Sequence, residues 1–195
     1  MVVSGITFGR RSETTIRQLL ERATGDEPDY DHVGSTLGAA PPGVGTHRAS
    51  CIVAGELSDA VATLARWAPH GGIGARIVPD GPPELGATVC VVIPFGPVEL
   101  CVPDRIVLVV DDGHEVGFAY GTLPGHPERG EELFHAEELD GGRLRLSVVV
   151  HAVPASVLAR LAAPVTRLLQ RAAARRYLDA WAAAITARPP GGGDG

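Results

Sequence analysis

The sequence predicts an α+β fold, a curved antiparallel sheet gripping a long C-terminal helix, and three observations predict it. Five strand-like stretches follow one another closely from Ala87 to Val150. Asp111-Asp112-Gly113 and Asp140-Gly141-Gly142 are hairpin signals, and links this short join only antiparallel neighbours. Ala155 to Ala187 then carries the strongest helical periodicity in the chain.

Ser12 caps a predicted helix running to about Ala23, with Ile16, Leu19 and Leu20 on one face. Gly25 to Gly45 is rich in Gly, Pro and Asp and reads as a loop that wraps the surface. His47 to Val53 reads as a strand. Ser58 to Trp67 reads as a short helix with Val61, Leu64, Ala65 and Trp67 inward, and Gly72 to Val78 as a strand before the Gly81-Pro82-Pro83 turn.

Further strands are expected at Ala87–Ile93, Arg105–Val110, Glu115–Thr122, Glu131–Leu139 and Arg143–Val150. In the last, Leu144, Leu146, Val148 and Val150 alternate with Arg143, Arg145 and Ser147, so one face is covered and one is wet. The apolar stripe of the final helix is Leu158, Leu161, Val165, Leu168, Leu169 and Ala172, continued by Tyr177, Trp181 and Ile185. Pro164 should kink it. The expected organisation is one domain over 1–188 and a disordered Gly/Pro-rich tail over 189–195. A long helix beside about six antiparallel strands packs most economically in the hollow of a curled sheet, which leaves room for a cavity.

Composition excludes several functions. The 195 residues are 45% apolar and 21% charged, with a net charge of -6, so no non-specific grip on nucleic acid or anionic lipid is expected. All 17 basic residues are arginine, which removes Schiff-base and P-loop lysines. Neither a signal peptide nor an apolar run of membrane length is evident, so the expected location is the cytoplasm. Cys51, Cys90 and Cys101 read as buried free thiols in a reducing compartment.

The word Gly117-Phe-Ala-Tyr-Gly-Thr-Leu-Pro-Gly-His-Pro-Glu-Arg-Gly-Glu-Glu132 resembles the signature of the DUF1990 family, also called UPF0548. Leu85-Gly-Ala-Thr-Val89, the Pro154–Tyr177 helix with Gln170, and Tyr30 to Gly34 with Trp67 are similar to other parts of that family, so the likeness spans about Tyr30 to Trp181. Two steps depart from it. Ala152-Val153-Pro154 stands where the family usually has a Ser-Arg-Pro-like step, and Val102-Pro103-Asp104-Arg105 where it often has Asn-Pro-Cys-Arg. The resemblance implies a family of unknown function, tied to the START-like (Bet v 1-like, SRPBCC) helix-grip superfamily.

Phe118, Tyr120 and Thr122 share one strand face, and Gly117, Ala119 and Gly121 share the other, where something must approach closely. Glu132 is in phase with Phe134; if Phe134 faces the core, Glu132 turns inward and needs a partner. The candidate ligand-binding set is therefore Phe118, Tyr120, Thr122, His126, Glu132 and Phe134, with His126 and Glu132 as an acid/base or anchoring pair. The competing reading is a tight hairpin whose Glu caps backbone amides. No HxH, HExxH or GxSxG spacing occurs, so neither a metal site nor a hydrolase elbow is supported, and no cofactor is expected.

Arg160, Arg167, Arg171 and Arg175 step along the last helix as a basic stripe, either a solvated face or one that meets an acidic partner or a phosphate. The reading that results is a module binding a small hydrophobic ligand between sheet and helix. An enzyme of cyclase, dehydratase or hydrolase type on the same scaffold is the alternative, and a protein-interaction module is the third. Oligomeric state is not readable from this sequence.

Overall fold

Alternating apolar and polar residues pair into one antiparallel sheet in this computed structural model, which describes residues 5–187 without the side chains of 5–8, 157–167 and 169. Strands β2 (Gly45–Ala54), β3 (Arg76–Val78), β4 (Thr88–Phe95), β5 (Val98–Asp111), β6 (Glu115–Thr122), β7 (Glu128–Leu139) and β8 (Arg143–Pro154) lie in the order β2-β8-β7-β6-β5-β4-β3. A short β1 (Gly5–Phe8), not foreseen from sequence, pairs with the first part of β5. The edge of β5 passes from β1, which reaches Cys101, to β6, which begins at Asp104. Pro103 sits at this hand-over, where a missing N–H is tolerated. A register shift between Ile106 and Leu108 breaks the regular ladder of β5 and strengthens its local bend.

Helix α1 (Glu13–Ala23) starts where expected, with the Ser12 side chain accepting from the Thr15 amide. It lies on the outer face of the sheet, where Ile16 and Leu20 meet Val78, Cys90, Val92 and Cys101. Helix α2 (Leu57–Leu64) begins one residue early behind a Glu56–Asp59 capping box. That phase turns Ala60, Thr63 and Leu64 inward and leaves the expected Val61 47% exposed.

The strand expected over Gly72–Val78 shrinks to β3, because Ala68–Gly71 forms a turn of helix, α3. Gly72 is committed elsewhere: a Cβ there would overlap the Arg176 carbonyl of the final helix. Cys90 and Cys101 are joined by a disulfide with Cα atoms 6.2 Å apart. The β4–β5 hairpin makes them diagonal neighbours, since Cys101 lies opposite Val92 and Cys90 opposite Pro103, so only Cys51 is free.

Helix α4 (Val157–Thr186) runs across Pro164 as one element and packs on the inner face of the sheet. Tyr177, Leu178, Trp181 and Ile185 are buried against Phe118, Phe134, Leu144, Leu146 and Val148. The Trp181 indole N–H donates to Thr63 Oγ1 at 2.9 Å, which ties α4 to α2. Leu168 departs from the expected stripe and is 67% exposed. Nine residues at 3.6 per turn set it on the side of the helix opposite Tyr177. Arg171 and Arg175 are exposed; the side chains of Arg160 and Arg167, like the 189–195 tail, lie outside the described residues. No helix among the described residues is long and apolar enough to cross a membrane.

Trp181 is fully buried at the centre of this grip. Trp181→Ala is expected to cost about 3–5 kcal/mol, read as a lowered urea midpoint with secondary structure retained below it.

Candidate functional site

The buried half of α4 closes the hollow of the sheet at one end only. Toward its middle the helix presents Gln170, Ala172 and Ala173 to the sheet, and a cavity of about 810 Å³ remains between them. Ile73, Val91, Val102 and Val150 are among its apolar walls, and one corner is polar. That corner gathers Asp104 from β5, Tyr120 and Thr122 from β6, His126 from the β6–β7 turn, Glu128 and Glu132 from β7, and Tyr177 from α4.

Strand alternation decides which of the adjacent acids Glu131 and Glu132 enters the cavity corner. Glu131 carries its carboxylate to the outer side, where it accepts from the Tyr30 hydroxyl (3.1 Å), the Gly34 amide (2.8 Å), the Ser35 hydroxyl (3.2 Å) and the Thr36 amide (2.7 Å). It pins the Gly25–Gly45 loop, and Gly121 leaves the room that the Tyr30 ring occupies. Tyr30 is thus the close approach that the glycine face anticipated.

Glu132 faces inward and accepts from the Tyr120 hydroxyl at 2.5 Å. His70, fully buried on α3, sits behind with Nε2 3.4 Å from the Tyr120 oxygen. His126 does not pair with Glu132. Its Nδ1 lies 3.0 Å from both the backbone carbonyl oxygen and the backbone amide of Glu128, and its other ring nitrogen, Nε2, faces Asp104. That nitrogen lies 4.0 Å from Asp104 Oδ1. The Gln170 side chain donates to both Glu128 carboxylate oxygens, at 2.8 and 2.7 Å, and latches α4 to β7.

Of the residues singled out from sequence, Tyr120, Thr122, His126 and Glu132 stand on the cavity wall. Phe118 and Phe134 do not: they lie behind it in the core, stacked with ring centroids 5.4 Å apart. Thr122 Oγ1 is committed to Asp29 and to the Gly130 amide. Sequence reasoning missed Asp104, His70 and Tyr177. Asp104 falls just ahead of the strand expected from Arg105, and Pro103 hides the true start of β5. The spacing of His70 from Tyr120 carries no local signal.

Burial sets the protonation of this corner. It pushes Glu132 up to about 7, against the pull of the Tyr120 hydrogen bond and with a further rise from Glu128. Burial, then the charges of Glu132 and Asp29, holds Asp104 well above the carboxylate range. Burial lowers His126 to about 4 and His70 to about 3, so both rings are neutral near pH 7. Among the described residues no group of three or more His, Cys, Asp or Glu side chains is arranged to hold a metal.

An open, curved antiparallel sheet around a C-terminal helix, with a cavity between them, defines the helix-grip fold class. Three solved structures share this architecture. A hypothetical protein from Helicobacter pylori aligns with a TM-score of 0.61 at 14% identity, over 82% of this chain and 96% of its own. The ZhuI aromatase/cyclase from Streptomyces sp. R1128 aligns with a TM-score of 0.58 at 14% identity, over 77% and 98%. Norcoclaurine synthase from Thalictrum flavum, in complex with dopamine and hydroxybenzaldehyde, aligns with a TM-score of 0.50 at 13% identity, over 76% and 90%. At such identities the likeness is one of fold.

Within that class the chain belongs to the family described as Domain of unknown function (DUF1990), whose model matches residues 29–180. A UPF0548 protein from Deinococcus radiodurans is 36% identical over 100 residues, 47% of this chain and 50% of that protein. The chain thus spans about half the length of the curated relative it matches.

The raised Glu132 has a signed consequence. A carboxyl whose folded value is about 7, against an ordinary 4.5, binds its proton more tightly in the folded state. Its contribution is fully present below about pH 4.5 and is lost as pH rises through 7. Glu132→Gln keeps an acceptor for Tyr120 without this loss. Relative to the parent protein it is expected to gain on the order of 1–3 kcal/mol on going from pH 5 to pH 8, measured by paired urea titrations.

Proposed function

We propose that this protein binds a small, mainly apolar molecule in the cavity between the sheet and α4, with the polar corner orienting it. The supporting observation is the combination of about 810 Å³ of space, predominantly apolar walls and a few convergent polar groups, the usual make-up of a small-molecule site. The solved structures of this fold include a complex with dopamine and hydroxybenzaldehyde and an aromatase/cyclase, which agrees with that reading.

N-phenyl-1-naphthylamine, a neutral apolar fluorophore, should enter saturably with about one-to-one stoichiometry and micromolar affinity. Val150→Trp, which fills the wall opposite α4, should weaken uptake by about tenfold or more. No saturable signal from the folded parent protein would remove the proposal.

One observation favours a second reading, an enzyme. Glu132 is poised near neutrality on the cavity wall and bonded to a tyrosine, which suits general acid–base transfer to a bound carbonyl or hydroxyl. Carbon-13 NMR titration of the Glu132 carboxyl is expected to give a midpoint near 7 that moves when a ligand enters. A midpoint in the ordinary carboxylate range would leave binding alone.

A further inference from the structure

We propose that the polar corner of the cavity is a subsite for the ammonium group of an amine carried on an apolar body. This inference rests on the cavity-binding reading above and names the chemical class of its ligand. The observation that carries it is Asp104. Its residue is 1% exposed, it stands on the cavity wall, and neither carboxyl oxygen has a hydrogen-bond partner among the described residues. His126 Nε2 is 4.0 Å from Asp104 Oδ1, beyond hydrogen-bond reach.

The counter-ion such a carboxyl would ordinarily have is present in sequence and turned away in space. Arg105, its neighbour, sends its guanidinium to the outer side, where it donates to the carbonyls of Ala23, Thr24 and Asp26. Arg129 pairs with Asp29 at 3.3 Å. Arg176 of α4 reaches the cavity edge but is exposed.

The groups facing Asp104 and Glu132 can be named from every side. They are Tyr120 and Thr122 on β6, His126 in the turn, Glu128 on β7, Gln170, Arg176 and Tyr177 on α4, His70 behind Tyr120, and Asp29 and Tyr30 from the loop. The Tyr120 hydroxyl is spent on Glu132, the Gln170 amide on Glu128, and the Thr122 hydroxyl on Asp29.

What remains turned on the corner is therefore the Asp104 carboxyl, without a hydrogen-bond partner among the described residues, beside the His126 ring and two phenols. A buried acceptor left unmade is costly. An ammonium supplies three donors and a charge that two carboxyls can share, and aromatic rings tolerate it. An alcohol supplies one donor and no charge, and a carboxylate ligand would add a further like charge. Seating the cation draws Asp104 and Glu132 into their ionised forms, so protons leave the protein as the amine enters, and amine affinity rises with pH through about 7.

The experiment is isothermal titration calorimetry of the full chain at about pH 8 with 4-phenylbutylamine, 4-phenylbutan-1-ol and 4-phenylbutyrate, which share one body and differ in head group. The amine should bind about tenfold or more tightly than the alcohol, with the acid weakest. Its heat should depend on the ionisation enthalpy of the buffer, as proton release requires.

Asp104→Asn should bring the amine to within about threefold of the alcohol, both measured on the same variant. Glu132→Gln should do the same in part, and serves if Asp104→Asn does not fold. An alcohol or acid that equals the amine would overturn this inference and leave the cavity reading standing. So would an amine that fails to bind while N-phenyl-1-naphthylamine still enters. If neither the series nor the fluorophore enters, both readings fall together.

Discussion

The architecture depends on an uneven grip. The C-terminal half of α4 drives Tyr177, Leu178, Trp181 and Ile185 into the sheet, and the large rings of Tyr177 and Trp181 bury much apolar area. One turn earlier the small side chains of Ala172 and Ala173 line the cavity. Two methyl groups cannot fill the volume that a tryptophan fills, so space remains beside them. The Gln170–Glu128 latch closes the far side of that gap with two hydrogen bonds, so the opening is framed by α4 on one wall and β7 on the other.

Much of the fold was legible because strand and helix periods are local. The hairpin signals, the span of β6 and the start of α1 come directly from residue type. What was not legible depended on partners distant in sequence. Strand β1 is short and gains its pairing from β5. The extension of β5 back to Val98 was concealed by Pro103, a residue that argues against a strand unless one edge is changing neighbours. The Cys90–Cys101 link likewise needs the register of a hairpin to be known. Leu168 shows a different limit: leucine content alone does not fix helical phase.

The site was half legible for the same reason. Alternation from Phe134 placed Glu132 inward, and Tyr120 is its cross-strand neighbour in the ladder, so that pair was within reach of pattern reasoning. His126 was expected to join it. Instead the turn folds its Nδ1 onto the Glu128 backbone, a local bond that a Gly-His-Pro-Glu word does not advertise. Asp104 and His70 arrive from β5 and α3, and only the topology brings them to Tyr120 and His126.

Two neighbouring carboxyls distinguish scaffold from site more sharply than any motif. Glu131 is 2% exposed, yet it accepts four hydrogen bonds, two of them from backbone amides. Its negative charge is answered by the chain itself, and the outcome is an ordered loop. Asp104, as deeply buried, receives no hydrogen bond among the described residues, and Glu132 accepts from one phenol. A fold that can place four donors on one acid has no difficulty supplying donors. Leaving Asp104 bare while Arg105 is directed outward keeps a charge-accepting corner at the end of an apolar cavity. No donor among the described residues reaches the Asp104 oxygens within hydrogen-bond distance, and that is the place a ligand's head group would take.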